Sequence, residues 1–146
     1  MDAQPLTSTH PPLRCHDWAE RLVDVIARHH APFAWGTCDC ATLFAGAVEA
    51  VTGADPLAPF RPWGSEADAM RRLAASGHRS VIAFTEAHFP EIEPADVRRG
   101  DLIYGDAADA LSCPAVVIGS AAMSLTPCGA VLFPITLARR AFMVGR

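Results

Sequence analysis

The segment that most constrains the fold is residues 41–51, ATLFAGAVEAV, which is apolar over more than half of a helical circumference. A helix of this composition is stable when most of its surface is buried. We therefore predict that this segment is the central helix of the protein, ended by Thr52 and Gly53. Its larger apolar residues recur at helical spacing: Leu43, Phe44, Ala47, Val48 and Val51.

Further helices are predicted on either side of this segment. The first runs from Asp17 to about His29, and Asp17 with Glu20 has the arrangement of a capping box. Two more are predicted over residues 65–76 and 80–90, each opened by a Ser that can cap a helix. The first half of the chain is therefore predicted to be helical.

The second half of the chain changes character. Short apolar runs separated by Gly, Ser and Pro are typical of antiparallel strands. Helices followed by strands, without an internal repeat or a linker, predict a single α+β domain over residues 14–146. Residues 1–13 contain three Pro and are predicted to form a flexible arm. The predicted strands are residues 100–104, 115–119, 123–126, 131–135 and 141–144.

Composition excludes several classes of function. Apolar residues make up 51% of the 146 residues and charged residues 19%, which is typical of a folded protein. The net charge of −4 and the absence of a Lys/Arg run argue against nucleic-acid binding. No apolar run approaches the ~20 residues of a membrane span, and the N-terminus lacks signal-peptide features. We therefore expect a soluble product made in the cytoplasm.

Cys40 stands at the start of the predicted central helix. Free N–H groups and the helix dipole stabilise a thiolate at that position and make it nucleophilic. The alternative is that Cys40 is simply a small core residue. Asp39, which precedes it, is interpreted as a helix-capping residue rather than an acid catalyst.

Three motifs resemble the NlpC family of papain-like cysteine peptidases. The stretch from Pro32 to Gly36, PFAWG, is followed by Asp39-Cys40 and a helix of small residues. Residues 99–103, RGDLI, resemble the Gly-Asp-Leu start of the first strand of that family, and residues 116–119, VVIG, resemble the strand that carries the catalytic His. The resemblance covers about residues 16–135 and is closest to a short phage-encoded branch associated with tail-tip genes.

This resemblance implies a papain-like α+β fold in which N-terminal helices pack on a small antiparallel sheet. It also implies that Cys40 occupies the position of the nucleophile. Counting back from Gly119, the position that the family fills with His is Cys113, and no His follows His88. Without an imidazole near Cys40, no group would titrate near pH 7 to move the proton. The sequence therefore predicts a scaffold that has lost its catalytic His.

A hairpin turning at Ser120 and Ala121 would place Cys113 opposite Cys128, near the third position of the triad. Because five cysteines are an odd number, a pure disulfide framework is not expected. Four interpretations of these thiols remain open. They are thiols packed in an inactive site, which is favoured; a zinc or iron–sulfur site made by Cys38, Cys40, Cys113 and Cys128; a Cys113–Cys128 disulfide; and residual thiol chemistry at Cys40.

From the resemblance we expect a structural or assembly component of a phage tail tip or baseplate hub, with other tail-tip proteins as partners and no cofactor. The expected location is the host cytoplasm during assembly, and then the virion tail tip if the protein stays in the particle. One alternative is an active peptidoglycan amidase or endopeptidase whose base comes from elsewhere, for example from His16 or a partner subunit. A second alternative is an interaction module held by a cysteine-bound metal.

Overall fold

The computed structural model describes residues 11–109 and 112–146. Within them, the first half of the chain forms helices and the second half forms strands, as the sequence predicts. The helices are α1 (Trp18–Arg28), α2 (Cys40–Thr52), α3 (Glu66–Ala75) and α4 (Val81–His88). The strands are β1 (Glu91–Ile92), β2 (Leu102–Tyr104), β3 (Ala115–Val117), β4 (Ala121–Thr126), β5 (Gly129–Pro134) and β6 (Arg140–Phe142).

The six strands form one antiparallel sheet in the order β1-β6-β2-β3-β4-β5. The α+β class predicted from the sequence is therefore confirmed. Strand β1, which the sequence analysis missed, is two residues long and pairs Glu91 with Phe142 of β6. A strand so short carries no periodic signal, so only its pairing partner reveals it.

Three interior strands of the sheet, β2, β3 and β6, have buried side chains on both faces. Side chains of β2, β3 and β6 alternate between the face that packs against the helices and the opposite face. Loops and the neighbouring strand residues cover part of that opposite face. The helix-facing side chains include Leu102, Val116, Met123 and Phe142, and the opposite set comprises Ile103, Ala115, Val117, Ala122 and Ala141.

Helix α2 lies between α1 and the strands β3 and β4. Eight of its thirteen residues are buried, which confirms that this segment is the central helix. Gly53 ends the helix with a left-handed φ of 85°, a conformation in which Gly carries no steric penalty. The start of α2 is therefore fixed between a helical layer and the sheet.

A buried carboxylate joins the two ends of the described chain to the sheet. Asp101 is 1% exposed and accepts hydrogen bonds from the Arg14 guanidinium at 2.9 Å and from the backbone N–H groups of Arg98 and Val144. Burial raises the pKa of Asp101, while these donors and the positive charges oppose that shift. This cluster gives the Asp that precedes β2 a structural role, because Asp101 orders the turn before the strand and binds both ends of the described chain.

One local prediction is wrong. Asp17 is the residue before α1, but its side chain makes no capping hydrogen bond. At the end of the predicted flexible arm, Pro12 and the adjoining Arg14 form backbone hydrogen bonds with Arg146. The rest of that arm, residues 1–10, lies outside the described residues.

No helix in the described ranges is long and apolar enough to cross a membrane.

Candidate functional site

Asp39 organises the start of α2. Its side chain is fully buried, and Oδ1 accepts a hydrogen bond from the Thr42 backbone N–H at 2.8 Å. The Thr42 hydroxyl accepts one in return from the Asp39 backbone N–H at 2.8 Å. This reciprocal pair is a capping box, in which two otherwise unpaired N–H groups are satisfied. The interpretation of Asp39 as a capping residue is confirmed.

The second carboxylate oxygen of Asp39 holds the loop in front of the helix. Oδ2 accepts hydrogen bonds from the Gly36 N–H at 2.7 Å and from Trp63 Nε1 at 2.8 Å. Gly36 has a φ of +84°, and a Cβ atom there would collide with the carbonyl oxygen of Trp63. Only Gly fits this position, so the loop and the helix start form one rigid unit.

A buried histidine supports the same unit from the other side. His29 Nδ1 donates to the carbonyl of Val25 at 2.7 Å, and Nε2 lies 3.1 Å from the Thr42 hydroxyl. A carbonyl oxygen can only accept, so Nδ1 is the donor to Val25, while Nε2 contacts the hydroxyl that also pairs with the Asp39 backbone. His29 therefore positions the capping threonine, which in turn positions the backbone of Asp39.

Cys40 is the first residue of α2, and its sulfur faces Cys113. The two Sγ atoms are 3.1 Å apart, although the residues are 73 positions apart in the chain. Cys113 lies in the segment 112–114, which has neither helical nor strand structure and leads into β3. Both side chains are partly buried. The structure thus brings the sulfur of Cys113 beside that of Cys40.

The two thiols have opposite electrostatic environments. Hydrogen bonding from the Cys113 thiol lowers the pKa of Cys40, and the backbone N–H groups of Cys40 and Ala41 add to this effect. The hydrogen bond to Cys40 and burial raise the pKa of Cys113 well above its ordinary value. The pair therefore favours a Cys40 thiolate that accepts a hydrogen bond from a protonated Cys113.

A cavity of about 420 Å³ opens beside Cys113 on the sheet side of the pair. Its walls include Tyr104, Ser112 and Ser124 together with apolar side chains. The Tyr104 hydroxyl donates to the Ser112 carbonyl at 3.2 Å and lies 3.1 Å from the Thr85 hydroxyl. Burial raises the pKa of Tyr104, so its hydroxyl stays protonated at neutral pH. This tyrosine holds the backbone next to Cys113.

Cys128 does not lie opposite Cys113, and that prediction is wrong. The β3–β4 hairpin pairs Val116 with Met123 and Val117 with Ala122, which carries residue 113 level with Thr126. Cys128 is exposed in the turn between β4 and β5, where its backbone N–H donates to the Thr126 hydroxyl. The predicted turn is one residue too late, because Gly119 and Ser120 form it, and this moves every pairing by two residues. Gly at the first central position is a recognised turn signal.

The predicted four-cysteine metal site is not assembled in the described structure. Cys38 is buried and its sulfur contacts the carbonyl of Ala31 at 3.5 Å, so it does not join the Cys40–Cys113 pair. Burial raises the pKa of Cys38. Among residues 11–109 and 112–146, no three His, Cys, Asp or Glu side chains are grouped to hold a metal ion. All five cysteines are free, so the predicted Cys113–Cys128 disulfide is not formed either.

Three of the described histidines have other surroundings or contacts. His16 is 97% exposed beside Asp17, and His29 is committed to the capping network. The ring of His88 stacks on Phe84, and its Nδ1 donates to the Phe84 carbonyl at 2.8 Å. Burial lowers the pKa of His88. In the part of the chain that the structure describes, the group that is hydrogen-bonded to the Cys40 sulfur is therefore a thiol.

Sequence reasoning missed two residues that build this site. Thr42 completes the capping box, and its position three residues after Asp39 is a signal that could have identified it. Trp63 reaches Asp39 from 24 residues away and carries no local signal, because only the folded chain brings the two together. The site therefore combines a predictable local motif with an unpredictable tertiary contact.

The fold and site define a class of α+β protein in which a cysteine begins a buried helix packed on an antiparallel sheet. The chain belongs to a family described as a domain of unknown function (DUF6950), which matches residues 13–144. No curated protein matches the chain.

Proposed function

We propose that this protein is a structural or assembly component of a phage tail tip or baseplate hub, on an NlpC-like scaffold without peptidase activity. The proposal draws on the sequence motifs around Gly36, Cys40 and Asp101. It is supported by a cysteine at the first position of a central helix that packs on an antiparallel sheet. On this proposal the protein acts in the host cytoplasm during assembly and in the tail tip if it is retained.

The observation that carries the proposal is the thiol that faces Cys40. A cysteine peptidase needs a group that takes the nucleophile's proton and returns it to the leaving amine. The raised pKa of Cys113 keeps its thiol protonated at neutral pH, so it cannot act as that base. Asp39 accepts three hydrogen bonds as a structural cap. On this proposal the pair lacks the acid–base function of a hydrolase.

The edge of the sheet supports a role in assembly. Strand β5 is the last strand in the order and has the sequence GAVLFP, without a charged residue. Val131 is 44% exposed and Leu132 is 59% exposed. Edge strands of monomeric proteins are usually protected by charges, and an uncharged edge is a site for the addition of a partner's strand. We propose that β5 contacts a neighbouring tail-tip protein.

Zymography on purified cell wall tests the loss of hydrolysis. The wild-type protein and the Cys40→Ala variant should both leave the wall intact. Clearing by the wild type and by a Cys128→Ala control, but not by Cys40→Ala, would overturn the proposal. Cys128 is a matched control because it is a free, exposed thiol away from the pair.

Particle assembly tests the partner surface. A phage carrying Leu132→Lys in β5 should lose incorporation of the protein into tails, because Lys introduces a charge on the edge strand. Val23→Lys is the matched control, since Val23 is similarly exposed at 51% but lies on α1. Normal incorporation of the Leu132→Lys protein would exclude β5 as the assembly surface.

One observation favours a second candidate, an active peptidoglycan hydrolase. The lowered pKa of Cys40 at a helix N-terminus is what a thiol nucleophile requires. The base would have to come from outside the pair, for example from His16 or a partner subunit. The zymogram decides between the two candidates, and clearing that disappears in His16→Ala would identify that base.

A further inference from the structure

The Cys40–Cys113 pair has the arrangement of a dithiol rather than of two packed core residues. Its sulfurs are 3.1 Å apart, and they come from the start of α2 and the segment before β3. Among the described residues, the fold brings these two cysteine sulfurs into contact. The sulfur of Cys38 contacts a carbonyl and Cys128 is in an exposed turn.

The surroundings give the two sulfurs different chemical roles. Cys40 has backbone N–H groups at a helix N-terminus beside it, and these groups stabilise a thiolate. The hydrogen bond to Cys40 and burial raise the pKa of Cys113, which favours a protonated thiol that donates to Cys40. Thiol–disulfide exchange needs one thiolate that attacks and a second thiol that completes the reaction. The pair provides both.

We propose that Cys40 and Cys113 form a redox-active pair that is oxidised to an intramolecular disulfide by exchange with a low-molecular-weight disulfide. This activity does not depend on the proposed role in assembly. It gives a function to Cys113, whose thiol lies at the position where the resemblance predicts a catalytic histidine.

The reaction proceeds in two exchange steps. The Cys40 thiolate attacks one sulfur of the substrate disulfide, so that a mixed disulfide forms, the substrate S–S bond breaks and the first thiolate leaves. Cys113 then loses its proton to the solvent and attacks the Cys40 sulfur. The Cys40–Cys113 bond forms as the second thiolate leaves. The protein loses two electrons and the Cys113 proton, and the two thiolates that leave become thiols by taking up protons from the solvent; a dithiol reverses the reaction.

The local structure permits this reaction. A disulfide bond is about 2.05 Å long, so the sulfurs must approach by about 1 Å. Cys113 lies in a segment outside the helices and strands, and it can shift without breaking the hydrogen bonds of the sheet. The cavity beside Cys113 gives space next to the pair for the group that leaves. The bond would join the start of α2 to the segment before β3.

The test is equilibration of the reduced full-length protein with oxidised glutathione, followed by acid quenching, alkylation and peptide mass spectrometry. The expected product is a link between the peptides that contain Cys40 and Cys113. A Cys113→Ser variant should lose this link and retain glutathione on Cys40, because the completing thiol is absent. A Cys128→Ser control should form the link as the wild type does.

Two results would overturn the proposal. One is a wild-type protein that keeps glutathione on Cys40 without forming the link, since Cys113 would then not complete the exchange. The other is modification of Cys128 alone, since Cys40 would then not attack. Both are read from the unaltered protein, so the test does not depend on the folding of a variant.

Discussion

The two sides of the site are held in different ways. The helix side, made of Gly36, Asp39, Cys40, Thr42 and Trp63, is fixed by a buried carboxylate with three donors and a capping box. The sheet side, residues 112–114, is held by the Tyr104 hydroxyl, which donates to the Ser112 carbonyl, and by hydrogen bonds between Ser112 and Asp109, whose side chain is exposed. The difference teaches that the thiolate position is held mainly by buried hydrogen bonds, whereas the segment that faces it is held partly by solvent-exposed ones.

This difference predicts that substitutions on the helix side cost the most stability. The largest effect is expected for Asp39→Ala, which removes the cap of α2 and leaves buried N–H donors of Gly36 and Trp63 unpaired. We expect a loss of about 3–5 kcal/mol in the free energy of unfolding, measured by urea denaturation. Asp17→Ala is the matched control, because Asp17 precedes α1 without capping it and should change stability by less than ~0.5 kcal/mol. Equal losses in the two variants would show that Asp39 does not organise the site.

Gly36→Ala should have the next largest effect. The left-handed φ of Gly36 and the collision of a Cβ atom with the Trp63 carbonyl both oppose a side chain there. We expect a loss of about 2–4 kcal/mol by the same measurement. At Gly64 no atom lies within 4 Å of an added Cβ, so Gly64→Ala should be close to neutral. A neutral Gly36→Ala variant would mean that the loop is not tied to the helix.

Trp63→Phe should cost less, because it removes one hydrogen bond and keeps most of the ring buried. The lost bond joins Nε1 to a carboxylate, and we expect a loss of about 1–2 kcal/mol in the free energy of unfolding. The control is Trp35→Phe, since Trp35 is 37% exposed at the tip of the same loop. A Trp35→Phe variant that is the less stable of the two would contradict the assignment of this hydrogen bond.

The sequence predicts the helix side better than the sheet side. The Asp39 cap and the end of α2 at Gly53 are local features, and both are readable from neighbouring residues. The predicted pairing of Cys113 with Cys128 depends on hairpin register, and a turn shifted by one residue moves every pairing by two residues. The hydrogen bond from Trp63 to Asp39 depends on the tertiary fold, so no local sequence pattern predicts it.

The resemblance to the NlpC family predicts a position for Cys113 but not its chemistry. The resemblance places residue 113 where a catalytic His is expected, and the structure brings its sulfur to 3.1 Å from Cys40. What the pair can do follows from two environments, a helix N-terminus on one side and a buried thiol on the other. Those environments are properties of the folded chain and were not available from the sequence.

The central claim is that Cys113 donates a hydrogen bond to a Cys40 thiolate. The direct measurement is the rate of iodoacetamide alkylation at Cys40 as a function of pH, by peptide mass spectrometry, in the wild type and in Cys113→Ala. Because the hydrogen bond lowers the pKa of Cys40, the variant should have a higher pKa and a smaller thiolate fraction below it. Its alkylation profile should therefore shift to higher pH. An unchanged profile, or a shift to lower pH, would contradict the account.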